Sequence, residues 1–307
     1  MISLFNINNY VIDTSTFSNL LHDKIVDDFV DEFCEYVGAK YGCALNSATN
    51  AIFLSMEEKY QRVEIPTMIP PVVGNALKLG GNKVKFNDNT SWVGHSYTLH
   101  DFGDYKIIDS AQRVDRNQFA SEANDDDLMI FSFYPTKPVG GMDGGIIVSN
   151  DKHKIDYFKN KSFNGMSSEE NNWEREQGFI GWKMYMNSAQ AFVALQNLRK
   201  LDDKRNRLEQ IRERYNEAFG LSNTSTHLYR IFISYRDFVI KELKKNGIAA
   251  GIHYKCLHDS PLFNTHQKGH LTKSEEEAAC TLSIPFHEKL KEDEVEHIIC
   301  KIRLLTY

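Results

Sequence analysis

Three short segments carry side chains that could do chemistry together. In Phe131-Ser132-Phe133-Tyr134-Pro135-Thr136-Lys137-Pro138-Val139-Gly140-Gly141, one lysine follows a very apolar strand and precedes a glycine-containing turn. Partial desolvation there lowers the ammonium pKa and favours the neutral amine, which adds to an aldehyde as a Schiff base. The bland alternative is a solvated lysine that happens to follow a strand. In Ile107-Ile108-Asp109-Ser110-Ala111-Gln112, a carboxylate comes directly after a buried strand, and ligands collect at the carboxyl ends of parallel strands. An acid there can pair with a protonated ring nitrogen, and Gln112 can donate to a phenolic oxygen; a turn or helix cap would use the same Asp109. The third segment, Asn46-Ser47-Ala48-Thr49, opens a helix. Free backbone N–H groups and the helix dipole suit it to a phosphate dianion, although an ordinary N-cap needs the same residue types.

The elements that must position these groups are visible in the hydropathy pattern. Ile25, Val26, Phe29, Val30, Phe33, Cys34 and Val37 repeat with a step of about four, which predicts an amphipathic helix ended by Gly38. Residues 41–45 read as a buried strand, followed by the polar turn and a helix through Ala51, Ile52, Phe53, Leu54 and Met56. Further strand-like runs at 62–65, 83–86, 92–99, 105–108, 128–133 and 145–148 alternate with turns or helix-length segments. Such alternation predicts an α/β fold with a mostly parallel sheet covered on both faces. Residues 188–219 read as one long helix. Beyond it, strand-like 229–234, helical 237–246, strand-like 248–253 and a last helix near 291–304 predict a smaller α+β unit. The expected division is a large domain, 1–205, and a small C-terminal domain, 206–307.

Composition excludes several function classes. The 307 residues hold 36 basic and 42 acidic side chains, net −6, so no overall positive field draws the chain to nucleic acid or an anionic membrane. Five cysteines without CxxC pairs fit a reducing compartment, and cytoplasm is the expected location. The N-terminus lacks a basic signal-peptide region, and no 18 apolar residues run together. His253, Cys256 and His258 form a His-x-x-Cys-x-His spacing. No second pair accompanies it to complete four ligands, so no metal site is expected. Residues 199–214 carry seven basic and four acidic side chains and read as a solvated helix laced with ion pairs.

Taken together, a phosphate cradle, a carboxylate and a strand-end lysine stand in the chain order that an enzyme using pyridoxal phosphate (PLP) would need. Over nearly its whole length the chain resembles the DegT/DnrJ/StrS family of PLP-dependent nucleotide-sugar aminotransferases. The matching motifs are Leu45-Asn46-Ser47-Ala48-Thr49, Asp109-Ser110-Ala111-Gln112, Ser132-Phe133-Tyr134-Pro135-Thr136-Lys137, Gly144-Gly145, Gly247-Ile248 to His253-Tyr254, and Ser283-Ile284-Pro285. The resemblance implies the aspartate aminotransferase-like fold of PLP-dependent transferases, with a mostly parallel sheet in the large domain. It implies Lys137 as the Schiff-base lysine and proton carrier, and Asp109 on the pyridinium nitrogen. It implies Gln112 on the ring oxygen, and Ala48 N–H, Thr49 and Ser132 on the phosphate. It further implies glutamate as amino donor, a nucleotide-linked keto-sugar as acceptor, and a homodimer with shared active sites.

In that dimer Lys183 would replace a family asparagine that reaches the neighbouring subunit's phosphate. His253, Tyr254 and His258 would lie on the substrate side. Two departures stand out: Pro70 takes the place of a ring-stacking aromatic residue, and the connection from His95 to Asp109 is too short for the usual helix. Two alternatives remain at this point. One is a sugar dehydratase, against which Lys137 argues because such relatives carry histidine; the other is a PLP- or sugar-binding regulatory protein without turnover.

Overall fold

Amphipathic spacing produces the first helix, α1 (Ile25–Val37), which buries Phe29, Phe33, Cys34, Tyr36 and Val37. Gly38 ends it in the left-handed region at φ 77°, its N–H returning to the Cys34 carbonyl. The computed structural model describes residues 1–167, 175–264 and 270–306. After α1 come β1 (Tyr41–Leu45), α2 (Ala48–Met56), β2 (Arg62–Pro66), α3 (Pro71–Leu79), β3 (Lys83–Asn87), β4 (Tyr97–Asp101) and β5 (Lys106–Asp109). Then follow α4 (Gln118–Glu122), β6 (Leu128–Ser132), β7 (Gly145–Ser149), α5 (Lys152–Ser162), α6 (Ser188–Leu198) and α7 (Leu201–Phe219). The C-terminal part contains β8 (Tyr229–Phe232), α8 (Arg236–Lys245), α9 (Thr272–Cys280), β9 (Thr281–Ile284) and α10 (Glu292–Thr306).

The expected α/β architecture is present, with a mixed central sheet ordered β1-β7-β6-β5-β4. β5 and β6 pair in parallel, while β7 runs antiparallel to both β6 and β1. Hence β1, β5 and β6 all run one way and deliver their carboxyl ends to the same edge. β2 and β3 form a separate parallel pair. β6 and β7 are buried at every residue, and their side chains alternate between two cores, as a period of two requires. Phe131, Ile146 and Val148 pack with α1 and α6 on one face. Leu128, Ile130 and Ile147 pack with α2 and α3 on the other.

Three sequence expectations change. Instead of a strand over 92–99, Trp92 and Val93 pack into the core and the strand starts at Tyr97. β4 then turns back as an antiparallel hairpin with β5, which is how the chain dispenses with the helix missing before Asp109. Residues 188–219 are two helices, broken at Arg199–Lys200, without any glycine or proline to announce the break. The run at 248–253 makes only isolated bridges, Ile248 to Ile2 and Gly251 to Ser283. Within α7, Leu201 belongs to the core shared with α1, whereas Leu208, Ile211 and Tyr215 belong to a third core built with β8, β9 and α10. Among the described residues, no helix is long and apolar enough to cross a membrane.

Candidate active site

The carboxyl ends of β1, β5 and β6 open onto one cavity of about 430 Å³. Ser47, Ala48 and Thr49 reach it from the turn after β1, Asp109 from the end of β5, and Ser132 and Lys137 from the end of β6 and the loop beyond. Gln112, His253 and Tyr254 line it as well. Parallel strands feeding helices make this edge the natural place for a ligand, because polar turns converge there while the apolar strands stay covered.

The Lys137 loop is held from outside the sheet. Its own turn is closed by the Lys137 N–H on the Tyr134 carbonyl, 2.8 Å, and by the Gly141 N–H on the Phe133 carbonyl, 2.7 Å. Asn197 Nδ2 donates to the Gly140 carbonyl, 2.7 Å, and Lys204 Nζ to the Pro138 carbonyl, 2.8 Å. The helix break at Arg199–Lys200 sits between these two clamps. The solvated reading of 199–214 is thus corrected at two positions: burial lowers the Lys204 ammonium pKa, and Arg205 turns in to Asp115 and the Val114 carbonyl. The Lys137 amine makes no hydrogen bond or ion pair among the described residues. Burial lowers it to about 8, against a smaller opposing pull from Asp109.

Asp109 is 3% exposed. It accepts the Ala111 N–H at 2.9 Å on one oxygen and the Tyr97 hydroxyl at 3.0 Å on the other. Burial raises its pKa; those two hydrogen bonds and the Lys137 charge pull it back. Gln112 accepts the Gly94 N–H, 2.7 Å, and donates to the Tyr254 hydroxyl, 2.8 Å. Its amide is therefore oriented by Gly94 and Tyr254. Tyr254 in turn stacks on Trp92, with ring centroids 5.9 Å apart and planes 7° apart. Pro70 lines the cavity beside Val72 and Val73. The aromatic surface comes instead from Trp92, Tyr254, Phe5 and Tyr134.

The cradle at the start of α2 is built for close approach. Ser47 caps the helix by accepting the Asn50 N–H at 3.2 Å, leaving the first N–H groups free. Beneath them runs Gly145, where an added Cβ would lie 2.4 Å from the Ala48 nitrogen and 2.6 Å from its Cα. Backbone atoms cannot rotate away from such a clash. Gly145→Val is accordingly expected to hold less than about a tenth of the normal PLP and to lose about 2 kcal/mol or more of stability. PLP content by absorbance and thermal unfolding check this; full occupancy at an unchanged melting temperature would overturn it.

Two predicted residues lie elsewhere. His258 is 2% exposed. Its Nδ1 bonds Thr67 Oγ1 at 2.6 Å and its Nε2 lies 3.1 Å from Glu275, a structural tie outside the cavity. Lys183 is exposed and does not line the cavity of its own chain. The His-x-x-Cys-x-His side chains turn to separate partners: His253 to Ser283, Cys256 to the Ser274 carbonyl, and His258 to Thr67. Sequence reasoning missed Phe5, Trp92, Tyr97, Asp143 and His227. Tyr97 supports Asp109, and the others line the cavity. Their only signal was an aromatic or polar residue at the margin of an apolar run. A lowered amine, a buried carboxylate and a free helix N-terminus on one cavity form the donor set that PLP requires.

The sequence profile of the DegT/DnrJ/EryC1/StrS aminotransferase family matches residues 6–67 and 122–303. The unmatched stretch holds Pro70, Trp92, the β4–β5 hairpin and Asp109. A Campylobacter jejuni protein named UDP-4-amino-4,6-dideoxy-N-acetyl-beta-L-altrosamine transaminase is 25% identical, the alignment covering 87% of this chain and 86% of that protein. Among crystal structures, the aminotransferase TlmJ from Streptoalloteichus hindustanus has a TM-score of 0.82 at 21% identity, over 99% of this chain and 98% of its own. PseC from Helicobacter pylori, an aminotransferase of pseudoaminic acid biosynthesis, has a TM-score of 0.79 at 18% identity, over 99% of both chains.

Proposed function

Because this chain belongs to the DegT/DnrJ/EryC1/StrS aminotransferase family and takes PLP as its cofactor, we propose that it moves an amino group from glutamate to a nucleotide-linked keto-sugar. The observation that carries this reading is the single cavity shared by the Lys137 amine, the Asp109 carboxylate and the α2 N-terminus. The nucleotide sugar is supported by the Campylobacter jejuni relative, named as a UDP-sugar transaminase.

In this reading the N–H groups at Ala48 and Thr49 and the Ser132 hydroxyl hold the phosphate, where the helix dipole favours an anion. Asp109 holds positive charge on the ring nitrogen. Gln112, oriented by Gly94, would donate to the ring oxygen. PLP, when bound, supplies an electron-withdrawing ring that stabilises negative charge at the carbon next to the transferred nitrogen. Lys137 Nζ would hold the cofactor and would be the group placed to take up and return a proton at that carbon. With its amine at about 8, roughly one lysine in ten is neutral at pH 7, against about one in three thousand unperturbed.

Two protomers make the active unit, and Lys183 reaches the partner's phosphate as a point charge. Its exposure outside its own cavity supports this role. Lys183→Ala is expected to weaken PLP retention on dilution roughly tenfold, read by residual cofactor absorbance after gel filtration. Equal retention would remove Lys183 from the phosphate site. The chain divides near residue 205, inside α7, a boundary supported by the separate third core. It works in the cytoplasm, which its five free cysteines, three of them buried, support. The reading as a whole is tested by mixing the PLP-loaded protein with UDP-4-amino-4,6-dideoxy-N-acetyl-β-L-altrosamine. Spectral conversion of the cofactor, reversed by 2-oxoglutarate with release of glutamate, is the expected result. A cofactor band indifferent to sugar and to glutamate would favour binding without turnover.

A further inference from the structure

Between α7 and β8 the chain makes a loop that ends by putting His227 on the cavity wall. Asn223 Oδ1 accepts the Ser225 N–H at 2.8 Å, and Ser225 Oγ accepts the N–H groups of His227, 3.0 Å, and Leu228, 3.1 Å. Ser225 is pressed against Gly94, where a Cβ would stand 2.4 Å from its Oγ. The same Gly94 orients Gln112, so loop and cofactor site share one rigid contact.

The imidazole is 6% exposed and stacks on Phe5, with centroids 5.6 Å apart and planes 22° apart. Phe5 is delivered by the N-terminal arm, which is fastened by the Ile2 N–H on the Gly247 carbonyl, 2.7 Å, and by the Phe286 N–H on the Leu4 carbonyl, 3.2 Å. The ring plane of His227 is therefore set before any ligand arrives. Phe5 also meets His253 edge-on at 5.8 Å, but His253 spends its Nδ1 on Ser283 at 2.8 Å. The ring nitrogens of His227 make no hydrogen bond among the described residues.

The ring nitrogens are not sealed in the core but remain reachable from the cavity, so a ligand on this wall can hydrogen-bond them. Burial and the nearby Lys137 charge hold His227 well below its usual pKa, leaving a neutral ring with one donor and one acceptor. Such a ring complements a hydroxyl group, which likewise offers one donor and an acceptor.

We propose that His227, with its ring held by Phe5, is a specificity-determining residue that hydrogen-bonds a hydroxyl group of the acceptor sugar close to the reacting carbon. This rests on the nucleotide-sugar reading above. A site built to hydrogen-bond a hydroxyl discriminates strongly, because its polar group is stranded when the hydroxyl is absent.

The test compares two half-reactions of the PLP-loaded protein, one with glutamate and one with UDP-4-amino-4,6-dideoxy-N-acetyl-β-L-altrosamine. In His227→Phe the sugar kcat/KM is expected to fall about tenfold to a hundredfold further than the glutamate kcat/KM. His227→Asn, which keeps a donor and an acceptor, should recover most of that gap. His227→Leu reads the same quantity if the phenylalanine variant fails to load PLP. Equal losses in both half-reactions, or no loss in either, overturn the proposal. No sugar conversion by the unsubstituted protein overturns the substrate reading and this inference with it.

Discussion

Lys137→Ala is expected to remove the near-visible absorbance of bound PLP and to lower kcat by on the order of 10³-fold or more, since proton transfer by a positioned group alone contributes 10²–10⁴. The effect is large because this amine does two jobs and has no neighbour to replace it: among the described residues no other lysine lines the cavity. A primary amine such as methylamine, added at high concentration, should restore part of the proton transfer without restoring the covalent absorbance. The pH dependence follows from the amine lying at about 8. Capture of PLP by cofactor-free protein needs the neutral form, so its rate should rise about tenfold per pH unit below 8 and level off above it. An ordinary lysine would keep rising to about pH 10.4. An unchanged spectrum in Lys137→Ala would show that another amine carries the cofactor, and a capture rate still climbing at pH 10 would show that Lys137 is not desolvated.

The groups that sequence reasoning brought to the site are those whose position follows from a short run of chain. β6 and β7 are apolar at nearly every residue, so they had to be buried on both faces, and Lys137 and Gly145 follow from their ends. Asp109 and the α2 cradle are likewise one step beyond a strand. What was not legible depends on contacts made at long range. His258 was expected near the substrate from the family resemblance, yet its partner is Thr67, 191 residues away. Lys204 stands in a heavily charged helix, and only the fold shows that its amine serves the Pro138 carbonyl. Phe5 belongs to an asparagine-rich arm without periodicity; its value arises only when the arm fastens to Gly247 and Phe286. The hairpin of β4 and β5 was masked by the apolar pair Trp92-Val93, which extends the hydrophobic run while packing into the core beside the cavity.

Asp109→Asn should separate binding from catalysis more cleanly than any other substitution at this site. The amide oxygen of asparagine can still accept the Ala111 N–H, and its NH₂ can donate to the Tyr97 oxygen, so both local partners at 2.9 and 3.0 Å remain usable. Neither the cradle nor Lys137 is touched. PLP content should therefore stay close to one per chain, while the negative charge that keeps the ring nitrogen protonated is lost and kcat falls by roughly 10² to 10⁴. The carboxylate is expensive to keep ionised in this place, because burial raises its pKa while the Tyr97 and Ala111 donors lower it. Tyr97→Phe removes one of the lowering contacts and should move the acidic limb of the pH–rate profile upward, with activity lost at higher pH as the carboxyl protonates. The sign is set by the charge: stabilising the ionised form extends activity to lower pH, and removing that support retracts it. Stopped-flow spectra of the glutamate half-reaction separate the two effects. Asp109→Asn should be slow at every pH, whereas Tyr97→Phe should approach the unsubstituted rate in neutral and alkaline solution. If Asp109→Asn instead loses PLP and keeps its per-site rate, the carboxylate is a packing element of β5 and the ring nitrogen is held by some other group.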